Sequence, residues 1–281
     1  MLKLADFRTK AKGLPDLLPY AALVAPGVVL NKAGSFLGAW EVRGQDTASA
    51  TPDELAYQSA QFNNAIKLLG TGWMLHMDAI RSPHAAYPPR EASRFPDPVT
   101  QLIDDERREF FGRILSVTYK PDFNATRLAG GTQSGAASAG VLDKGLAHFE
   151  NILEELEDAL SAVLHLERLG EYDAFDPDGN AYRQSDVLSH LQHCLTGDLH
   201  PVRVPDTPMY LDAILASEEL VGGIVPRLGS RHLAMLSIDG LPQESWPAML
   251  AALDGLPLSY RWSSRFICLD QFDAVAEINS Y

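Results

Sequence analysis

The chain has 281 residues, 46% of them apolar and 21% charged, enough to bury a sizeable core as one large domain or two smaller ones. Its 37 acidic against 23 basic side chains leave a net charge of -14, which repels a phosphate backbone and excludes broad, sequence-independent nucleic-acid binding. Cys194 and Cys268 sit far apart in apolar contexts, the pattern of reduced thiols in a cytoplasmic protein rather than of a secreted disulfide framework.

The N-terminus places Lys3, Arg8, Lys10 and Lys12 ahead of the apolar run Leu17 to Val24. Asp6, Pro15, Asp16 and Pro19 spoil this start as a targeting signal, and no window supplies the roughly 20 apolar residues of a membrane span. The basic start reads either as a solvated helix or as a contact for an anionic membrane surface or an acidic partner. Val28 to Leu30 and Phe36 to Val42 flank the turn-forming Asn31-Lys32-Ala33-Gly34-Ser35, which predicts a β-hairpin. Thr51-Pro52-Asp53-Glu54 combines a capping hydroxyl, a proline at the first helical position and a glutamate able to reach back to the cap. The helix it opens carries Leu55, Phe62, Ile66 and Leu69 on one stripe, stops at Gly70, and leads to a strand from Trp73 to Ile80.

From Ser82 to Pro98 the prolines predict an extended crossing. Asp97-Pro98 then opens a helix through Arg108 to Phe111, followed by a strand from Ile114 to Tyr119. Ala129 to Gly140, built of Gly, Ser, Ala and Thr, reads as a mobile loop. Beyond it Leu142, Leu146, Phe149, Leu153, Leu156, Leu160 and Val163 recur at spacings of four and three, the seam of one long helix. That seam packs within its own chain or receives a partner helix. A shorter helix spans about Ser185 to Leu195, and strands are expected at Met209 to Leu215 and Leu220 to Val225.

The order of elements is echoed. Phe36 to Val42, a helix and Trp73 to Ile80 correspond to Leu233 to Ile238, a helix through Trp246 and Leu253, and Tyr260 to Cys268. The echo predicts an α+β protein of two related strand-helix-strand modules with mainly antiparallel sheets, plus a long amphipathic helix. The corresponding boundaries are 1–128 for the first module with its basic segment and hairpin, 129–140 for the loop, 141–200 for the helical segment and 201–281 for the second module.

No catalytic constellation stands out. Gly135-Ala136-Ala137-Ser138-Ala139-Gly140 has the four-residue gap of a phosphate-binding loop, but Val141 and Leu142 follow where lysine and a hydroxyl are required. No other stretch matches GxxxxGKS or GxxxxGKT. His190, His193, Cys194 and His200 form the densest group of metal-type ligands. Without an HExxH pattern or a CxxC pair, and with Cys194 beside Leu188, Leu191 and Leu195, they read as surface histidines next to a core cysteine. Asp176-Pro177-Asp178-Gly179-Asn180 fits a tight turn better than a calcium loop, which would need a glutamate where Ser185 stands. Asp104-Asp105-Glu106 beside Arg107-Arg108 reads as a solvated helix face, and Trp40, Trp73, Trp246 and Trp262 as core packing.

Taken together, Leu23 to Asp46 (LVAPGVVLNKAGSFLGAWEVRGQD), Ser59 to Arg81 (SAQFNNAIKLLGTGWMLHMDAIR), Met209 to Leu215 and Ile238 to Leu269 resemble the N-terminal region of the TrbE-type conjugal-transfer ATPases of the CagE/TrbE/VirB family. The resemblance covers almost the whole chain. It implies a type IV secretion ATPase, peripheral at the inner membrane, whose hexameric motor powers assembly and substrate transfer. The motor's phosphate loop is absent from these 281 residues, so ATP and magnesium are expected only for a motor domain outside them and no cofactor is expected within them. The implied role is a docking domain contacting inner-membrane subunits of the secretion apparatus, self-associating with the full-length protein and not binding nucleic acid directly. The surfaces assigned to it are the seam of Leu146, Phe149, Leu153, Leu156 and Leu160 for a partner helix, and Lys3, Arg8, Lys10 and Lys12 for a membrane or partner. A free-standing adaptor and an enzyme with an unrecognised active site are the competing classes.

Overall fold

The computed structural model describes residues 13–45, 49–83, 98–101, 109–121, 134–207, 209–238 and 258–279, with single positions at 244, 246, 249, 253 and 256. In chain order the elements are α1 (Leu14–Leu17), β1 (Tyr20–Ala25), β2 (Val28–Asn31), β3 (Phe36–Gly44), α2 (Pro52–Ile66), β4 (Trp73–Pro83), β5 (Glu109–Tyr119), α3 (Ser134–Leu160), β6 (Leu164–Arg168), β7 (Glu171–Phe175), β8 (Ala181–Ser185), α4 (Asp186–Thr196), β9 (Val202–Arg203), α5 (Leu211–Leu215), β10 (Leu220–Val221), β11 (Arg227–Leu228), β12 (Arg231–His232), β13 (Tyr260–Ile267) and α6 (Gln271–Ile278). The class is α+β with antiparallel sheets, as the sequence predicts.

A seven-stranded sheet organises the molecule, in the order β1-β2-β3-β5-β4-β13 with β6 also on β3. β2 pairs with the start of β3 and β6 with its end, so one edge of β3 serves two partners in succession. β3 is buried on both sides. Phe36, Trp40 and Val42 join the core under α2 and α3, while Leu37 and Ala39, at the alternate positions, join the core on the opposite face. This explains why the strand reads as a nearly continuous apolar run.

On the first face α2 begins as its capping residues dictate. The Thr51 amide donates to Glu54 Oε2 at 2.7 Å and the Glu54 amide to Thr51 Oγ1 at 3.3 Å. α3 lies beside it, and Phe149, Leu153, Leu156 and Leu160 have no exposed surface. Phe149 stacks on Trp73 with ring centroids 5.5 Å apart, and Trp73 stacks on Tyr119 at 4.5 Å. Gly38 makes this approach possible, since a Cβ there would stand 3.0 Å from Leu153 Cδ1.

The opposite face is covered by α1, α4 and α5, through Leu14, Val187, Leu188, Leu191, Leu211 and Leu215. Two small three-stranded sheets, β7-β8-β9 and β10-β11-β12, lie outside the main one. The tight turn between β7 and β8 forms as predicted. Asp176 Oδ1 accepts from the amides of Asp178 and Asn180, and Gly179 adopts φ +85. No helix among the described residues is long and apolar enough to cross a membrane.

Several expectations are corrected. The two halves of the sequence echo meet in one sheet, because Tyr260–Ile267 pairs along β4 from Met74 to Arg81. The strand expected at Leu233 to Ile238 is not formed, and Met235, Leu236 and Ile238 are exposed. Ser134 to Gly140 is helical rather than loop, because Ala136, Ala137 and Ala139 favour the helix that continues from them. Met209 to Leu215 holds a short helix, with Leu211 and Leu215 buried one turn apart, in place of a strand. Phe110 and Phe111 belong to β5 and not to the preceding helix. Some of the apolar run after the basic start is β1, while Lys3, Arg8, Lys10 and Lys12 lie outside the described residues.

Candidate functional site

The chemistry-bearing side chains of the molecule gather where α4 crosses the β4–β13 edge of the main sheet. Ser185 caps α4, its hydroxyl accepting from the Leu188 amide, and Gly197 ends it in the left-handed conformation at φ +77. Between the two, every residue from Val187 to His193 is buried. His190 and Cys194, one turn apart, share the face that looks onto β4.

Asp78 of β4 meets that face. Its residue is 6% exposed, that of His190 8%. His190 Nε2 lies 3.6 Å from Asp78 Oδ2 and 3.6 Å from Cys194 Sγ. The first distance is too long for a hydrogen bond, and the other carboxylate oxygen, Asp78 Oδ1, is buried without a partner. Ser263 and Arg261, from β13, also face the carboxylate. Arg261 is exposed at the open edge of the sheet and hydrogen-bonds to Cys194.

The charges of this group sustain one another. Burial alone would push the Asp78 carboxyl up, but His190, Ser263 and Arg261 outweigh it and hold it below the usual carboxylate range. Burial would likewise push His190 down, yet Asp78 and Cys194 raise it to about 9. Burial and the neighbouring Cys194 push the Tyr20 phenol up to about 12. His193 is lowered by burial, His190 and Arg261, which outweigh the upward pull of the Asp198 carboxylate.

These positions overturn some of the sequence reading. His190 and His193 are buried and Cys194 is half-buried, the reverse of surface histidines beside a core cysteine, because α4 is sandwiched between the sheet and the β9–α5 segment. His200 is exposed, away from the buried run of α4. Asp78 carries no local sequence signal. It shares a largely apolar strand with His76, Arg81 and Ser82, and only the sheet brings it under α4.

The seam assigned to a partner helix is corrected as well. Phe149, Leu153, Leu156 and Leu160 are consumed by the chain's own core, with Leu146 half-buried at its margin. Such residues offer no surface to another molecule. Nor does the glycine run form a nucleotide cradle. Residues 135–140 are helical, whereas a phosphate-binding loop of this kind is non-helical backbone leading into a helix.

A different surface is open. α6 buries none of its residues, and Phe272 (91% exposed), Val275 and Ile278 project at helical spacing, continued on the sheet edge by Phe266 and Ile267. Polar contacts hold this helix. The Asp270 amide donates to Thr71 Oγ1 at 2.9 Å, and Thr71 Oγ1 donates to Asp273 Oδ2 at 2.6 Å.

Residues 27–126 match the N-terminal domain of the type IV secretion system ATPase VirB4/TrbE. The chain is 38% identical over 297 residues to the conjugal transfer protein TrbE of Rhizobium radiobacter, covering 99% of this chain and 35% of that protein. Two proteins of Sinorhizobium fredii (strain NBRC 101917 / NGR234), each named as a portion of a probable conjugal transfer protein TrbE, are also similar. The one named as the first portion is 42% identical over 130 residues, covering 43% of this chain and 87% of that protein. The one named as the second is 43% identical over 127 residues, covering 45% of this chain and 19% of that protein. The chain thus spans about a third of the length of the Rhizobium relative. With similarity along its whole length to TrbE proteins, the chain belongs to the VirB4/TrbE family of type IV secretion ATPases and corresponds to the TrbE N-terminal domain.

Proposed function

We propose that this chain is the non-motor docking domain of a conjugal-transfer ATPase, coupling the motor to the inner-membrane complex of a type IV secretion apparatus. The supporting observation is the apolar face of α6. A helix that contributes nothing to its own core, yet is pinned to the α2–β4 turn through Thr71, presents Phe272, Val275 and Ile278 outward. Rigid, exposed apolar side chains are the anchors around which protein interfaces form. On this reading ATP and magnesium belong to the motor region of the protein, the domain sits peripherally at the inner membrane, and partners are recognised by apolar contact, not by nucleic-acid chemistry.

The test is the pair Phe272→Asp and Ile278→Asp, introduced into the protein in a conjugating strain. Loss of co-fractionation with inner-membrane secretion subunits, together with reduced plasmid transfer at unchanged protein level, is expected. Wild-type co-fractionation and transfer would overturn the proposal.

A further inference from the structure

We propose that Asp78, His190 and Cys194 form a binding site for a borderline-soft divalent cation, with zinc as the best chemical match. One oxygen, one nitrogen and one sulfur ligand from these residues lie within 4.8 Å of one another. The donor set selects the class of ion. A thiolate, an imidazole and a carboxylate suit zinc and its neighbours, whereas magnesium and calcium require an all-oxygen shell.

The distances add to what residue type implies. Bonds of about 2.3 Å to sulfur and about 2.0–2.1 Å to nitrogen or oxygen place neighbouring atoms of a tetrahedral shell roughly 3.3–3.6 Å apart. His190 Nε2 stands 3.6 Å from both Asp78 Oδ2 and Cys194 Sγ. The N···O separation is long for a hydrogen bond, and both separations are close to the edges of a tetrahedron centred on a metal. Cys194 Sγ also lies 3.8 Å from Nδ1, so a turn about the soft χ2 torsion of His190 aims Nε2 at the shared centre.

Three further features fit. Asp78 Oδ1 is buried without a hydrogen-bond partner, a cost that fold stability alone does not explain and that a cation would offset. Arg261 hydrogen-bonds to Cys194, the kind of outer contact that orients a metal-bound thiolate, and its exposure lets solvent screen its charge. Cys194 is half-buried near the open sheet edge, which leaves an approach for the ion and a fourth position for solvent. Such an ion would tie α4 to β4, adding to the apolar cluster that Ile80 shares with Leu188 and Leu191.

The test uses the chelator-stripped, dialysed chain titrated with cobalt(II), whose thiolate coordination gives a near-ultraviolet charge-transfer band and whose tetrahedral field gives visible bands. Saturation at one cobalt per chain, displacement by zinc, loss of both features in Cys194→Ser and weakening in Asp78→Asn are expected. Cys268→Ser should keep them. No charge-transfer band at saturating cobalt, or a band that survives Cys194→Ser, overturns the proposal. Should Cys194→Ser fail to fold, the Cys268→Ser variant decides, because Cys194 is then its single thiol. Zinc must protect that thiol from alkylation by iodoacetamide, and unchanged reactivity overturns the site.

Discussion

Gly38 and Leu153 fix how closely the long helix approaches the sheet. A Cβ at Gly38 would stand 3.0 Å from Leu153 Cδ1 and 3.4 Å from Phe149 Cζ, so any side chain there would push on the two residues that seat α3 on β3. Glycine is a poor strand former, and its presence in the middle of a buried strand marks this close contact. Gly38→Val should therefore destabilise the fold by about 1–3 kcal/mol through overpacking, despite the better strand propensity of valine. Denaturant unfolding measures this as a lower midpoint at unchanged slope.

Leu153 itself distinguishes core from interface. If the seam of α3 met a partner, a charge at this position would break assembly and leave the chain folded. With Leu153 fully buried, Leu153→Asp places an unpaired carboxylate among Phe36, Trp40 and Leu115, and the purified chain should lose its cooperative thermal transition. The milder Leu153→Ala should cost about 2–5 kcal/mol.

The local elements were legible because local rules decide them. The Thr51 to Glu54 cap, the stripe of α2, the Asn31 to Ser35 turn and the strand from Phe36 to Val42 all stand as the sequence predicts. The heptad-like seam was legible as a helix but not as to its occupant, since an apolar stripe looks alike whether a sheet or a second helix covers it. The strand expected at Leu233 to Ile238 fails for a related reason. An apolar run meets strand propensity, but propensity does not supply a partner, and the run stays unpaired although the outer edge of β13 carries no strand among the described residues. Asp78 was illegible because its meaning comes from α4, which the chain reaches much later.

The cap of α2 gives a pH prediction. The backbone amide and then the hydroxyl of Thr51 hydrogen-bond to Glu54 and hold its carboxyl below the ordinary value. A carboxyl lowered in the folded state adds stability above its unfolded pKa and loses it as pH falls through the folded one. The difference in stability between the parent chain and Glu54→Ala should accordingly be largest near neutrality and close as acid protonates Glu54. Thr51→Ala should cost about 0.5–2 kcal/mol near neutrality. Chemical unfolding at a series of pH values checks both, and a gap that widens in acid would contradict this account of the cap.

Thr71 offers a way to loosen α6 without touching the core. Its hydroxyl is the shared partner of the Asp270 amide and the Asp273 carboxylate, and α6 has no buried side chain to replace those contacts. Thr71→Val removes both hydrogen bonds at nearly constant volume. Because α6 and the main sheet do not share apolar core, global stability should shift little, while the amides of residues 270–278 exchange faster and the segment is cut sooner by protease. Hydrogen exchange resolved by residue reads the two apart. A matching loss of protection in β4 and β13 would show that α6 supports the sheet, and its exposed apolar face would then need a structural explanation instead of a docking one.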